Sequence, residues 1–185
     1  MPYRKFSFRA GEYYHLFNRG NNFGDIFRNR EDYLLFLRLL RKHLLSSGAV
    51  ELAAYCLMPN HYHLLAKLQN DGLSSAMQSL SLAYTKCVNY KYGRVGSLFQ
   101  GRFKAVHVDR QRYLDALMVY VHRNPVEAGL VAKAHDWEFS SFRDCLGQRK
   151  GTLVVRGLMN PAIHMDAVND SRVRNPEGLA SVILE

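Results

Sequence analysis

The sequence predicts an α+β domain: a ferredoxin-like antiparallel sheet with helices packed on one face, plus a C-terminal helical extension. Three observations point there. The 185 residues are 48% hydrophobic and 22% charged, which suits a chain with one sizeable core. Apolar residues switch between strand and helix spacing in the order β-α-β-β-α-β. A Met58-Pro59-Asn60 turn joins the two middle strands, which makes them a hairpin.

Taken in order, residues 12–18 (EYYHLFN) are β-rich and partly alternating, and the Gly and Asn of RGNNFGD make the following stretch a loop. From Arg30 to Leu45 the residues Tyr33, Leu34, Phe36, Leu37, Leu40, Leu44 and Leu45 recur at helical spacing, ended by Ser46-Ser47-Gly48. Residues 50–58 and 61–69 are the hairpin strands. A second helix is expected from about Ser74 to Tyr92, stopped by Gly93. After the Gly-rich loop GRVGSLFQGR comes a short strand, Phe103 to Val108. A third helix follows over Arg110 to Arg123, with Asp109 as its expected N-cap. Asn124-Pro125 should end or sharply bend it, because proline lacks an N–H and restricts the residue before it. One or two turns over residues 126–132 and a short helix over Trp137–Cys145 complete the reading.

Charge narrows the function class. Lys plus Arg number 25 against 16 Asp plus Glu, a net +9 that favours a polyanionic partner, nucleic acid or an anionic membrane surface. Residues 1–110 hold 16 basic against 7 acidic residues, whereas residues 111–185 are balanced at 9 each. No aromatic residue follows Phe142. Basic side chains interleaved with Tyr and Phe suit a single strand, whose backbone attracts cations and whose bases stack on rings. Cys56, Cys87 and Cys145 lie far apart, which argues against a disulfide framework or a zinc ribbon. The absence of a signal-like apolar stretch at the N-terminus, and of any long uncharged apolar window, leads to the expectation of a cytoplasmic protein.

Two motifs bring chemistry. His61 and His63, at i and i+2 of a strand, project from one face and form a pair suited to a divalent metal. Alone, H-x-H is a weak signal. On the third helix Tyr120 and Asn124 are one turn apart, so a phenol and a hard amide-oxygen ligand share a face. A phenol is a poor nucleophile at its free pKa of about 10 and needs a nearby cation. Tyr120 is equally placed to be a core aromatic beside Leu114, Leu117 and Val121, and Tyr113 competes with it as nucleophile.

Five blocks in consistent order change those odds: YHLFNRGNN at 14–22, YCLMPNHYHLL at 55–65, LFQGRFKAV at 98–106, YVHRNPVEAGLV at 120–131 and WEFSSF at 137–142. Over residues 11–146 the chain resembles the REP-associated branch of single-tyrosine HUH transposases. The resemblance implies a transposase domain at 1–146 and an extension of unknown role at 147–185. It also implies a metal-dependent transposase and nickase that cuts and rejoins single-stranded DNA through a 5′-phosphotyrosine at hairpin-forming REP elements. His61 and His63 match the metal pair, with Mg²⁺ or Mn²⁺ as cofactor. Asn124 matches the third ligand more loosely, since many relatives have Gln there. Tyr120 matches the nucleophile, and a single nucleophile favours it over Tyr113. No role is assigned to His15.

The expected partner is hairpin-bearing single-stranded DNA, with no membrane, and the enzyme is expected as a monomer or homodimer. Arg19, Arg28, Lys86, Lys91, Arg94, Arg102 and Lys104 are the candidate DNA contacts. The rival is a catalytically silent nucleic-acid-binding protein on the same fold. A two-histidine phosphoesterase would need a second histidine strand, and a structural zinc site would need four closed ligands. If the basic half covers about 5 phosphates, log K against log salt should fall with a slope of about −3.5 in a salt titration with single-stranded DNA. A slope near zero would exclude a nucleic-acid partner.

Overall fold

The computed structural model describes residues 7–155, 157–158 and 160–170. Its elements follow the expected order: β1 (Tyr13–Arg19), α1 (Arg30–Leu40), β2 (Val50–Met58), β3 (His61–Leu68), α2 (Leu73–Tyr92), β4 (Lys104–Val108), α3 (Gln111–Glu127), α4 (Phe142–Cys145) and α5 (Pro161–Asn169). A π-type turn over Arg41–Leu45 extends α1. The four strands form one sheet in the order β2-β3-β1-β4, every neighbouring pair antiparallel. Among the described residues no helix is long and apolar enough to cross a membrane.

Strand period divides this sheet into two buried faces. Tyr14 and Leu16 of β1, Leu52, Tyr55 and Leu57 of β2, and Tyr62, Leu64, Ala66 and Leu68 of β3 meet α1 and α2 on one side. Aromatic rings fill that layer. Phe36 packs at 5.0 Å from both Tyr62 and Tyr84, and the Tyr84 hydroxyl donates to the Ile26 carbonyl at 2.6 Å. The helices of the β-α-β-β-α-β unit thus share one face, as expected. The opposite face takes Ala54, Cys56, Met58 and Leu65 against Leu114, Leu117, Met118 and Val121 of α3.

The outer edge of β2 would otherwise expose unpaired backbone groups. Leu57 N–H donates to Phe139 O at 2.9 Å, Ser141 N–H to Tyr55 O at 2.9 Å, and Val155 N–H to Leu52 O at 2.8 Å. The stretch just before α4 is therefore pinned to the sheet, and only Phe142–Cys145 of the expected Trp137–Cys145 helix is helical. Trp137 anchors this return through Nε1–H donating to Leu57 O at 3.0 Å.

Two local expectations are corrected. Arg110, with extended backbone, is the N-cap of α3, and no side chain caps it, so Asp109 does not have that role. Pro125 lies inside α3, which continues to Glu127. On either side of Pro125 the helix keeps its bonds, Asn124 Nδ2 donating to Tyr120 O at 2.8 Å and Ala128 N–H to Asn124 O at 2.9 Å, while the Val121 carbonyl loses the donor that proline cannot supply. Burial of Val121, His122 and Pro125 also holds the helix in place. The extension packs back on it: His164 of α5 shares a 2.7 Å hydrogen bond with His122 Nδ1, whose Nε2 meets Ser141 Oγ at 2.8 Å.

Asp32 is the polar keystone of the α1–α2 layer. It forms a capping box with Asn29 and accepts from Arg28 N–H at 2.9 Å, Lys91 Nζ at 2.9 Å and the Tyr92 hydroxyl at 2.8 Å. Burial by itself would raise its carboxyl pKa, but Lys91, the Arg28 N–H and Tyr92 outweigh it and lower the value. Replacing Asp32 with Ala should cost about 1–2 kcal/mol in denaturant unfolding, since it removes the cap and the acceptor of Arg28 N–H and the Tyr92 hydroxyl, while Lys91 keeps Glu31.

The His122–His164 pair makes a second prediction. Burial holds His122 well below its ordinary pKa and lowers His164 to about 4, so both are neutral when folded. Below about pH 6.5 the unfolded chain takes up protons that the folded chain refuses. Stability is therefore full above that pH and falls toward pH 4, by about 1 kcal/mol per imidazole between pH 7.5 and 5.5. Denaturant midpoints at the two pH values check this when the wild type is compared with His122→Gln, which should lose part of the pH dependence that the other buried imidazoles do not supply, and equal or higher wild-type stability at pH 5.5 would exclude neutral burial.

Candidate active site

β3 lies inside the sheet between β1 and β2, and its alternation sends Tyr62 into the aromatic core while His61 and His63 emerge on the α3 face. Their ring centroids are 4.9 Å apart. In the register, Arg19 faces His61, Phe17 faces His63 and His15 faces Leu65. His15 is therefore the diagonal neighbour of His63, and His15 Nε2 shares a 3.0 Å hydrogen bond with His63 Nδ1. His61 Nδ1 is bonded in the same manner to Asn60 Oδ1 at 2.6 Å. A proton on each Nδ1 leaves both Nε2 atoms with free lone pairs, the tautomer a metal ligand requires.

Tyr120 comes to this pair from α3. Its ring centroid is 5.6 Å from that of His63 and 6.3 Å from that of His15, both edge to face. Asn124, one turn later, spends Nδ2 on the Tyr120 carbonyl. Its amide also acts on the other three groups, opposing the downward shifts of His61 and His63 and lowering the Tyr120 phenol. His61, His63, Tyr120 and Asn124 are thus brought together within one chain. Tyr113 belongs to the same helix about two turns earlier, or about 10 Å along its axis, with no ring contact to either histidine among the described residues.

Electrostatics favour neutral bases and a protonated phenol. Burial lowers His15 to about 3, and burial followed by Arg19 lowers His61 to about 4 against the Asn124 hydrogen bond. Burial, with His61 and His15 adding to it, holds His63 well below its ordinary value. Tyr120 is pushed up to about 12, mainly by burial. The phenol alone is therefore a poorer nucleophile than free tyrosine, and a cation held beside it would activate it.

The donor set fits a divalent ion. Among the described residues no group of three His, Cys, Asp or Glu can hold a metal, and the Asn124 amide is a further oxygen donor beside the pair. His63 Nε2 is buried with no hydrogen-bond partner among the described residues, the kind of orphan a metal would satisfy. Two imidazoles and one amide oxygen leave coordination positions open for substrate.

A cleft of about 390 Å³ opens on the histidines, lined by Phe17, Arg19, Phe23, Asn60, Gln100 and Arg102 among others. Of the candidate DNA contacts, Arg19, Arg102 and Lys104 line it. Arg28 stacks on Tyr92 at 4.6 Å, and Lys91 is engaged by Asp32 and Glu31 on the helical side. Lys86 belongs to α2, and Arg94, just beyond it, donates through its backbone N–H to Asn89 O. Sequence reasoning left His15 without a role and passed over Asn60, Gln100 and Phe23. His15 was discoverable from its i, i+2 spacing to Phe17, but its pairing with His63 depends on strand register.

Comparison with known proteins places the chain in a family and supports the fold. The pattern of the family described as IS200-like transposases matches residues 11–124, which runs from just before β1 to Asn124. A Haemophilus influenzae protein described as a REP-associated tyrosine transposase is 27% identical over 122 residues, covering 60% of this chain and 69% of its own. The solved structure of a REP-associated tyrosine transposase bound to a REP hairpin superposes with a TM-score of 0.68 at 20% identity, over 86% of this chain and 94% of that one, a match in fold. With more than half of its length matched by the family pattern, the chain belongs to the IS200-like transposase family.

Proposed function

We propose that the protein is a REP-type tyrosine transposase that nicks and rejoins single-stranded DNA at hairpin-forming repeats through Tyr120. The observation that carries this reading is the meeting of Tyr120 with His61, His63 and Asn124 beside the basic cleft. The family match and the REP-hairpin complex of its structural neighbour support the substrate class. A divalent ion, Mg²⁺ or Mn²⁺, held by His61, His63 and Asn124 would lower the phenol pKa and polarise the scissile phosphate.

The chain's own residues do the rest. Asn60 Oδ1 accepts from His61 Nδ1, and His15 orients the His63 ring through its Nδ1. Arg19, Arg102 and Lys104 attract the DNA backbone into the cleft. Tyr120 Oη, its proton lost to solvent, attacks phosphorus opposite the bridging O3′. The P–O3′ bond breaks, the 3′ oxygen leaves and is protonated, and the 5′ phosphate stays on Tyr120 as a phosphodiester. Attack by a 3′-hydroxyl on that ester reverses the step and restores a strand, with the phenol as leaving group. No nucleotide cofactor is needed because the ester conserves the bond.

Incubation with a labelled, hairpin-bearing single strand and Mg²⁺ or Mn²⁺ should yield a protein–DNA adduct that survives denaturation. Tyr120→Phe should reduce it to background, Tyr113→Phe should keep it, and chelation should remove it. An adduct that persists in Tyr120→Phe overturns the nucleophile. Stable binding with no adduct under any metal condition leaves a silent binding module.

A further inference from the structure

Resting on the single-strand reading above, we propose that Phe23, backed by Arg19, is a stacking platform for one unpaired base beside the phosphate held at His61 and His63. Phe23 is 62% exposed, whereas the neighbouring aromatics Phe27, Tyr33 and Phe36 are buried. Its ring lines the same cleft as the histidines. The Arg19 guanidinium lies 4.2 Å from the ring centroid, and Arg19 is in turn held by Gln100. A flat ring with a cation behind it recognises any base by its π-face and favours the negative charge of the backbone.

The backbone displays this ring at a cost in free energy. Asn22 and Phe23 both have left-handed backbone, φ 53° and 58°, and a bulky residue is an outlier there. The surroundings hold it in place. Gly20 N–H donates to Asn60 O at 2.7 Å, Asn21 N–H to Leu98 O at 2.9 Å, and Gly24 N–H to Asn21 O at 3.0 Å. Gly20 is required, because a Cβ there would meet the Gly24 carbonyl oxygen at 1.9 Å. Asn60 ties the loop to the chemistry: its Nδ2 donates to Phe23 O at 3.3 Å while its Oδ1 meets His61 Nδ1. One side chain therefore sets both the platform and a histidine, so a base on Phe23 has a fixed offset from the phosphate at the histidines.

The test walks a single abasic site along the unpaired flank of a hairpin-bearing strand and measures Kd with the full chain. In the wild type one position should lose about 5- to 150-fold. Phe23→Leu, which keeps apolar bulk without a π-face, should lose a similar factor on the intact strand and lose no more at that abasic position. Phe23→Tyr should behave like the wild type. Intact-strand affinity unchanged in Phe23→Leu, or an abasic profile that Phe23→Leu does not flatten, overturns the platform. Adduct yield in the same samples separates the two readings. Adduct without a Phe23-dependent position overturns stacking alone, and Phe23-dependent binding without adduct overturns the chemistry and supports the platform.

Discussion

The two-residue period of β3, read inside a sheet that is buried on both faces, is the constraint on which the rest depends. Tyr62 and Leu64 must enter the aromatic layer under α1 and α2, so His61 and His63 have no choice but the opposite face. A one-residue slip would place two imidazoles in an apolar core and expel a tyrosine and a leucine. The site is thus held by the same burial that holds the fold, and its histidines are kept neutral by the same exclusion of water.

α3 completes the arrangement from outside the β-α-β-β-α-β unit. It covers the histidine face and brings Tyr120 and Asn124 down onto it, with the Asn124 side chain tied to the Tyr120 carbonyl. His122, on the same helix, faces α5 and Ser141 instead. Adjacent faces of one helix therefore serve the site and the attachment of the C-terminal segment. The loop 20–24 adds a third approach, coupled to His61 through Asn60.

Much of this was legible in residue spacing. The i, i+2 histidines, the i, i+4 tyrosine and asparagine, and the alternation of strand and helix periods are local properties, and each appears in the fold where its period places it. Pro125 shows the limit of local rules. A proline predicts an end or a sharp bend, yet α3 runs on to Glu127 because Val121, His122 and Pro125 are buried against the rest of the fold. The Asp109 cap failed for a similar reason: local preference selected a capable side chain, and the backbone turned extended one residue later, at Arg110.

The element order, the histidine pair on one strand face, the candidate nucleophile and the separation of a basic half from a neutral one could all be read from the amino-acid order, because they follow from residue identity and short-range period. Only the tertiary structure decided that His15 supports His63, that Asn60 links His61 to Phe23, and that Tyr120 rather than Tyr113 is the tyrosine beside the histidines. These are pairings between β1, β3, α3 and loops as far as 105 residues apart in Tyr120 and His15. Strand register and helix placement are set by burial of whole faces, so no local window of sequence contains them.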